Sequence, residues 1–129
     1  MTKIKNIFLI FTVFIFGSFS LMAKTQLTVY TAVEAEDLKK YAATFNEDHP
    51  DIEINWVRDS TGIITAKLLA EKNNPQADII WGLAGTSAML MKSEGMFEPY
   101  APKGLENLDP KFRDSANPPA WTGMDAWVA

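Results

Sequence analysis

The sequence predicts an α/β fold, with a mostly parallel sheet and helices on both faces. Two observations carry this expectation. Apolar residues recur with a period of two and then of about 3.6, and the switch happens three times between Gln26 and Lys92. Each change of period falls at a turn-forming cluster, and strands that alternate with helices in this way build parallel crossover units.

The first strand is Gln26-Leu27-Thr28-Val29-Tyr30-Thr31, alternating and rich in β-branched and aromatic residues. A helix follows, because Leu38, Tyr41, Ala42 and Phe45 fall at i, i+3, i+4 and i+7 and form one apolar stripe. Glu36 and Asp37 sit near its start, where acidic groups suit the helix dipole, and Asp48-His49-Pro50 ends it. Ile52, Ile54 and Trp56 alternate with Glu53, Asn55 and Val57 as a second strand. Ile64, Leu68 and neighbouring Ala and Leu residues then give a second helix, running up to Asn73-Asn74-Pro75. Asp78-Ile79-Ile80-Trp81-Gly82 reads as a short buried strand, and Thr86 to Lys92 as a third helix that Gly95 terminates.

From Gly95 to Pro119 the pattern changes to an irregular stretch with prolines at 99, 102, 110, 118 and 119. Phe97, Tyr100 and Phe112 make it too apolar for a free linker, so it is expected to pack on the domain. Trp121 to Ala129 reads as a further strand interrupted by the end of the chain. On that ground the chain reads as the truncated N-terminal part of a longer protein, and the fragment itself is expected to associate through Trp121 and Trp127. A native C-terminal edge strand is the alternative. There is no repeat and no low-complexity tract.

The first residues have the form of an export signal. Lys3 and Lys5 make a basic start, Ile7 to Phe16 is apolar apart from Thr12, and Leu21-Met22-Ala23 offers a cleavage point before Lys24. The segment Ile7 to Ala23 carries no charge, so an uncleaved membrane anchor is the competing reading. Cleavage is the reading preferred here, with residues 1–23 as signal peptide, 24–129 as the folded lobe, and the periplasm as the compartment.

Composition narrows the partners. With 129 residues, 47% hydrophobic and 22% charged, the chain is globular rather than disordered. Its formal net charge is −4, and without the two lysines of the leader the remainder carries −6. Such a surface disfavours nucleic acid, whose binding needs lysines and arginines against phosphates. The absence of cysteine removes a disulfide scaffold, a thiolate metal site and a lipid-modified cysteine.

Ligands of parallel sheets bind beyond the carboxyl ends of the strands. Three segments reach that edge: Tyr30-Thr31-Ala32, Asp59-Ser60-Thr61-Gly62 and Trp81-Gly82-Leu83-Ala84. The second ends a strand in small hydroxyl and glycine residues at a helix start, where free backbone N–H groups and the positive helix end suit an anion. Ser60 or Thr61 could equally serve as the helix cap. Tyr30 and Trp81 could be ordinary sheet core, or could close over a small ligand or face its ammonium group. Glu34 and Asp59 are candidates to pair with an amine, although Glu34 also suits a helix start and Asp59 a turn.

Enzymatic chemistry has little to stand on. Ser60 or Thr61 could be proposed as a nucleophile, but the only histidine, His49, sits at a helix end before a proline. No cluster has metal-ligand spacing, and no cofactor or metal is expected. A secreted hydrolase or a purely structural or signalling exported domain remain the readings from other classes.

Four segments carry a resemblance: Leu27 to Ala32, the long block Trp56 to Lys72, Pro75 to Gly82, and Ala116 to Trp121. They resemble the periplasmic solute-binding proteins of ABC importers, and among these the 2-aminoethylphosphonate binders, relatives of the ferric-iron binding proteins. The resemblance implies a periplasmic-binding-protein-like (type II) lobe of a two-lobed receptor, monomeric at full length, that delivers its ligand to an inner-membrane permease. By position it implies Ser60, Thr61 and Gly62 as the phosphonate seat, with Tyr30, Thr31 and Trp81 lining the cleft. Ferric iron or another small solute is the alternative ligand, since the iron-binding relatives draw tyrosines from a region this chain does not contain.

Overall fold

The computed structural model describes residues 23–124, so residues 1–22 of the leader, Trp127 and Val128 lie outside the described residues. Strand β1 (Thr25–Thr31) leads through helix α1 (Ala35–Asp48) to β2 (Ile52–Arg58). Helix α2 (Thr61–Ala70), strand β3 (Ile79–Trp81) and helix α3 (Gly85–Ser93) complete the α/β part. The three strands are parallel in the order β2-β1-β3. The expected βαβαβα order is therefore present, and β1 is the central strand.

Register explains which side chains meet. Val29 pairs with Trp56 and Ile79, and Thr31 with Arg58 and Trp81, so these side chains share one face of the sheet. Tyr30 pairs with Val57 and Ile80 on the other. Because β2 and β3 flank β1 on opposite sides, crossovers of one hand carry α1 and α2 to opposite faces. The contacts agree. Tyr41 of α1 meets Trp81 edge-on at 4.9 Å, and Trp81 lies 5.6 Å from Trp56. On the other face Tyr30, Ile64, Leu68 and Met91 form the core cluster, with Val57, Ile80 and Phe97 packed against it.

Burial departs from the sequence expectation in three places. Val29, Tyr30 and Thr31 are all buried, because a central strand is covered on both faces and loses the alternation its residues suggest. Conversely β3, expected as a buried strand, is a sheet edge three residues long, and Ile79 is 44% exposed. Of the three aromatics in the irregular stretch, Phe97 joins the core while Tyr100 and Phe112 are exposed.

Element ends differ in smaller ways. Helix α2 stops at Ala70, and the segment up to Asn73 continues as turns rather than helix. Helix α3 ends as foreseen: Gly95 is left-handed at φ +67°, and the amides of Gly95 and Met96 bond back to Lys92 and Met91. The stretch after it holds two single-turn 3-10 helices, Leu105–Asn107 and Pro110–Phe112. Trp121 to Met124, expected to start a strand, makes one isolated antiparallel bridge between Thr122 and Arg113.

Asp114 anchors this last stretch to α3. It is 6% exposed, accepts from Lys92 Nζ at 2.5 Å and from the Ala120 amide at 3.0 Å, and its own amide donates to Trp121 O. Lys92, followed by the Ala120 amide, holds the carboxyl below the ordinary aspartate value of 3.8. A depressed folded pKa stabilises fully above the unfolded value, and the gain is lost as pH falls through the folded one. The midpoint of urea unfolding should therefore decline below about pH 4, and Asp114→Asn should flatten that acid limb. An unchanged limb in the variant would assign it to other carboxylates.

Candidate functional site

The parallel strands bring three helix starts to one edge of the sheet: Ala35 after β1, Thr61 after β2 and Gly85 after β3. The loop after β1 turns to one face and those after β2 and β3 to the other, the arrangement beside which open α/β sheets take their ligands. The loops after β1 and β3 approach closely. Gly82 has φ +68°, and a Cβ built on it would lie 2.1 Å from Val33 Cγ2. Only glycine provides both the left-handed turn and the space.

Helix α2 begins with unused donors. Ser60 is its N-cap in extended geometry (φ −61°, ψ 153°), yet its side chain makes no capping bond. The Ser60 carbonyl accepts the Ile64 amide at 3.0 Å, while the amides of Thr61, Gly62 and Ile63 have no hydrogen-bond partner among the described residues. Asp59 Oδ1 accepts the Ser60 amide at 2.7 Å. The corner is open: Asp59, Ser60 and Gly62 are exposed, and a Cβ on Gly62 would meet nothing within 4 Å. Thr65 Oγ1 donates to Thr61 O at 2.6 Å and lies 3.0 Å from Ser87 Oγ, tying the starts of α2 and α3 together.

A second set of bonds joins the first two loops. The Asp59 amide donates to Thr31 O at 3.2 Å, Arg58 Nε to Val33 O at 3.1 Å, and Arg58 Nη2 to Glu34 Oε2 at 2.6 Å. Thr31 is fully buried, and its Oγ1 accepts the Val33 amide at 3.1 Å, so it shapes the loop. Arg58 and Gly82 are the residues whose roles were not assigned from sequence. A cation closing a strand opposite Thr31, and a glycine directly after a strand, were the available signals.

The two aromatics expected in the cleft are engaged elsewhere. Tyr30 is 2% exposed, lies in the core beneath α2, and donates its hydroxyl to Glu71 Oε2 at 2.9 Å. Burial, and then this bond, push its phenol above the ordinary value. Glu71 caps the far end of α2 and also accepts from Lys67 at 2.5 Å, which is the main cause of its lowered pKa. Trp81 does end β3 at the ligand edge, but its ring packs between Tyr41 and Trp56 on the α1 face. Ser60, Thr61 and Gly62 do stand together at the helix start, with Thr31 behind the loop beside them.

Cavities of about 210 Å³ (Leu68, Glu71, Ile80, Met96) and about 500 Å³ (Leu105, Arg113, Asp114, Pro119) lie away from this edge. What the edge presents is an exposed helix start with free donors, chemistry that suits an oxyanion.

With a parallel sheet, helices on both faces and open helix starts at its carboxyl edge, the chain belongs to the family of bacterial extracellular solute-binding proteins, whose model matches residues 31–126. It is 40% identical over 63 residues to a probable ABC transporter periplasmic-binding protein, y4fP, of Sinorhizobium fredii, covering 49% of this chain and 18% of that one. It is similar in structure to the periplasmic binding protein AfuA of Actinobacillus pleuropneumoniae, solved with exogenous fructose-6-phosphate bound. That match has TM-score 0.65 and 31% identity and covers 73% of this chain and 29% of that one. Iron-bound HitA of Pseudomonas aeruginosa shares the fold, with TM-score 0.64, 18% identity and coverage of 70% and 29%. The chain thus spans less than a third of the length of the proteins it matches.

Proposed function

We propose that residues 24–129 form the first lobe of a two-lobed, extracytoplasmic receptor that captures a small oxyanion, specifically 2-aminoethylphosphonate, and delivers it to an inner-membrane ABC permease. Export by a cleavable leader, a periplasmic location and a monomeric full-length state belong to the same reading. The observation that carries it is the start of α2, an exposed corner where three consecutive amides and the Ser60 hydroxyl have no hydrogen-bond partner among the described residues. A phosphonate needs several donors held in place, and a helix N-terminus supplies them with a favourable dipole. AfuA, solved with a phosphorylated sugar, supports an oxyanion as the common chemistry. Ferric iron or another small solute is the alternative ligand.

Titration of the labelled chain with 2-aminoethylphosphonate tests the reading. The amide resonances of Thr61, Gly62 and Ile63 should shift saturably, and weakly, since one lobe offers half a pocket. Saturable shifts for ferric iron or a neutral sugar alone would overturn the phosphonate assignment and keep the receptor class. Gly62 gives a second test. Gly62→Ala should raise stability by about 0.5–1 kcal/mol, because alanine is the better helix former and its Cβ meets no neighbour. The same methyl group would intrude on the ligand, so affinity should fall while the urea midpoint rises.

A further inference from the structure

We propose that the Arg58–Glu34 pair is the specificity element of this site and reads both charges of a zwitterionic solute, an assignment that rests on the oxyanion reading above. The pair joins the end of β2 to the loop after β1, one residue before the Asp59–Gly62 corner. Its geometry is asymmetric. Arg58 uses Nε on Val33 O and Nη2 on Glu34 Oε2, and the rest of its guanidinium fork has no partner among the described residues. Glu34 uses one oxygen, and its side chain is 76% exposed.

The contact between the two charges is not itself what holds the fold. Glu34 is the N-cap of α1 but makes no side-chain capping bond, and an ion pair this exposed adds little to stability in water. The pair does hold a cation and an anion side by side at the ligand edge, with donors and an acceptor still free. A solute carrying an anion and an ammonium group can lie head to tail along it, its oxyanion on the free guanidinium N–H groups and its ammonium on the free carboxylate oxygen. Such charge-assisted bonds are the stronger kind. Asp59, the other nearby acid, is engaged by the Ser60 amide. A simple phosphate ester gains only the cationic half of this arrangement and leaves the second Glu34 oxygen without an ammonium partner.

The test compares 2-aminoethylphosphonate with ethylphosphonate, which lacks the amine, by the Thr61–Ile63 amide shifts in the chain itself and in Glu34→Gln, Arg58→Gln and Arg58→Lys. Glu34→Gln should weaken the aminophosphonate by about tenfold or more and leave or improve ethylphosphonate. Arg58→Gln should weaken both, and Arg58→Lys should recover part of the loss. Spectra unchanged away from the site would verify folding of each variant. Equal response of the two ligands to Glu34→Gln, or no response, overturns the proposal while ethylphosphonate binding keeps the oxyanion reading alive. Failure of both phosphonates to move the amides in the unmodified chain removes the oxyanion reading, and this proposal with it.

Discussion

Ile64→Ala is expected to cost about 3–4 kcal/mol of stability, read as the loss in extrapolated unfolding free energy in urea. Ile64 is 1% exposed and packs with Tyr30, Leu68 and Met91, the cluster that seats α2 and α3 on the sheet. Truncation removes its transfer free energy and leaves a cavity that two helices and a strand cannot easily close. The loss would be a large part of the roughly 5–15 kcal/mol that an ordinary domain has in total. Its functional consequence follows from position. The Ile64 amide makes the first bond of α2, to Ser60 O, so its side chain fixes the turn that aims the free amides at the edge. Ligand-induced shifts at Thr61–Ile63 should weaken in the variant even below the onset of unfolding. Ile64→Val should cost only about 1 kcal/mol and keep those shifts. A cost under about 1 kcal/mol for the alanine variant would mean that this cluster does not seat the helix.

Gly82→Ala is expected to cost on the order of 3 kcal/mol, from two separable sources. A non-glycine residue at φ +68° costs about 1–2 kcal/mol in backbone strain. The added Cβ also collides with Val33, and forcing such a methyl into a packed site costs typically about 1–3 kcal/mol. Gly95 provides the control, because it has nearly the same φ, +67°, with nothing within 4 Å of a built Cβ. Gly95→Ala should show the strain alone. Adding Val33→Ala to Gly82→Ala should recover the steric part and leave the strain. A Gly82→Ala cost equal to that of Gly95→Ala would show that the loop after β1 yields freely. Since Val33 also accepts the Arg58 bond, the displaced loop should carry the charged pair out of register.

The strand and helix succession was legible because period and punctuation are local properties. Leu38, Ala42 and Phe45 recur at helical spacing whatever they pack against, and Gly95 ends α3 through its own backbone freedom. The helix start at Ser60, Thr61 and Gly62, with its free donors, was legible for the same reason, since a small, hydroxyl-rich strand-to-helix junction is a contiguous string. The packing of Tyr30 and Trp81 was not. Both stand at the end of a strand, but the face each ring takes depends on its register with neighbouring strands. That register sends Tyr30 beneath α2 to Glu71, and Trp81 to Tyr41 and Trp56. Arg58 was visible as a residue and invisible as a partner, because Glu34 lies 24 positions away.

The amino-acid order alone settled the α/β class, the two crossover units and the helix start richest in free donors, all consequences of short-range sterics and hydrogen bonding. Tertiary structure decided that β1 is central and β3 an edge, that Gly82 must yield to Val33, and that Arg58 and Glu34 stand together. The physical reason is that strand order and register bring remote residues into contact, and contact between remote residues has no signature in local spacing.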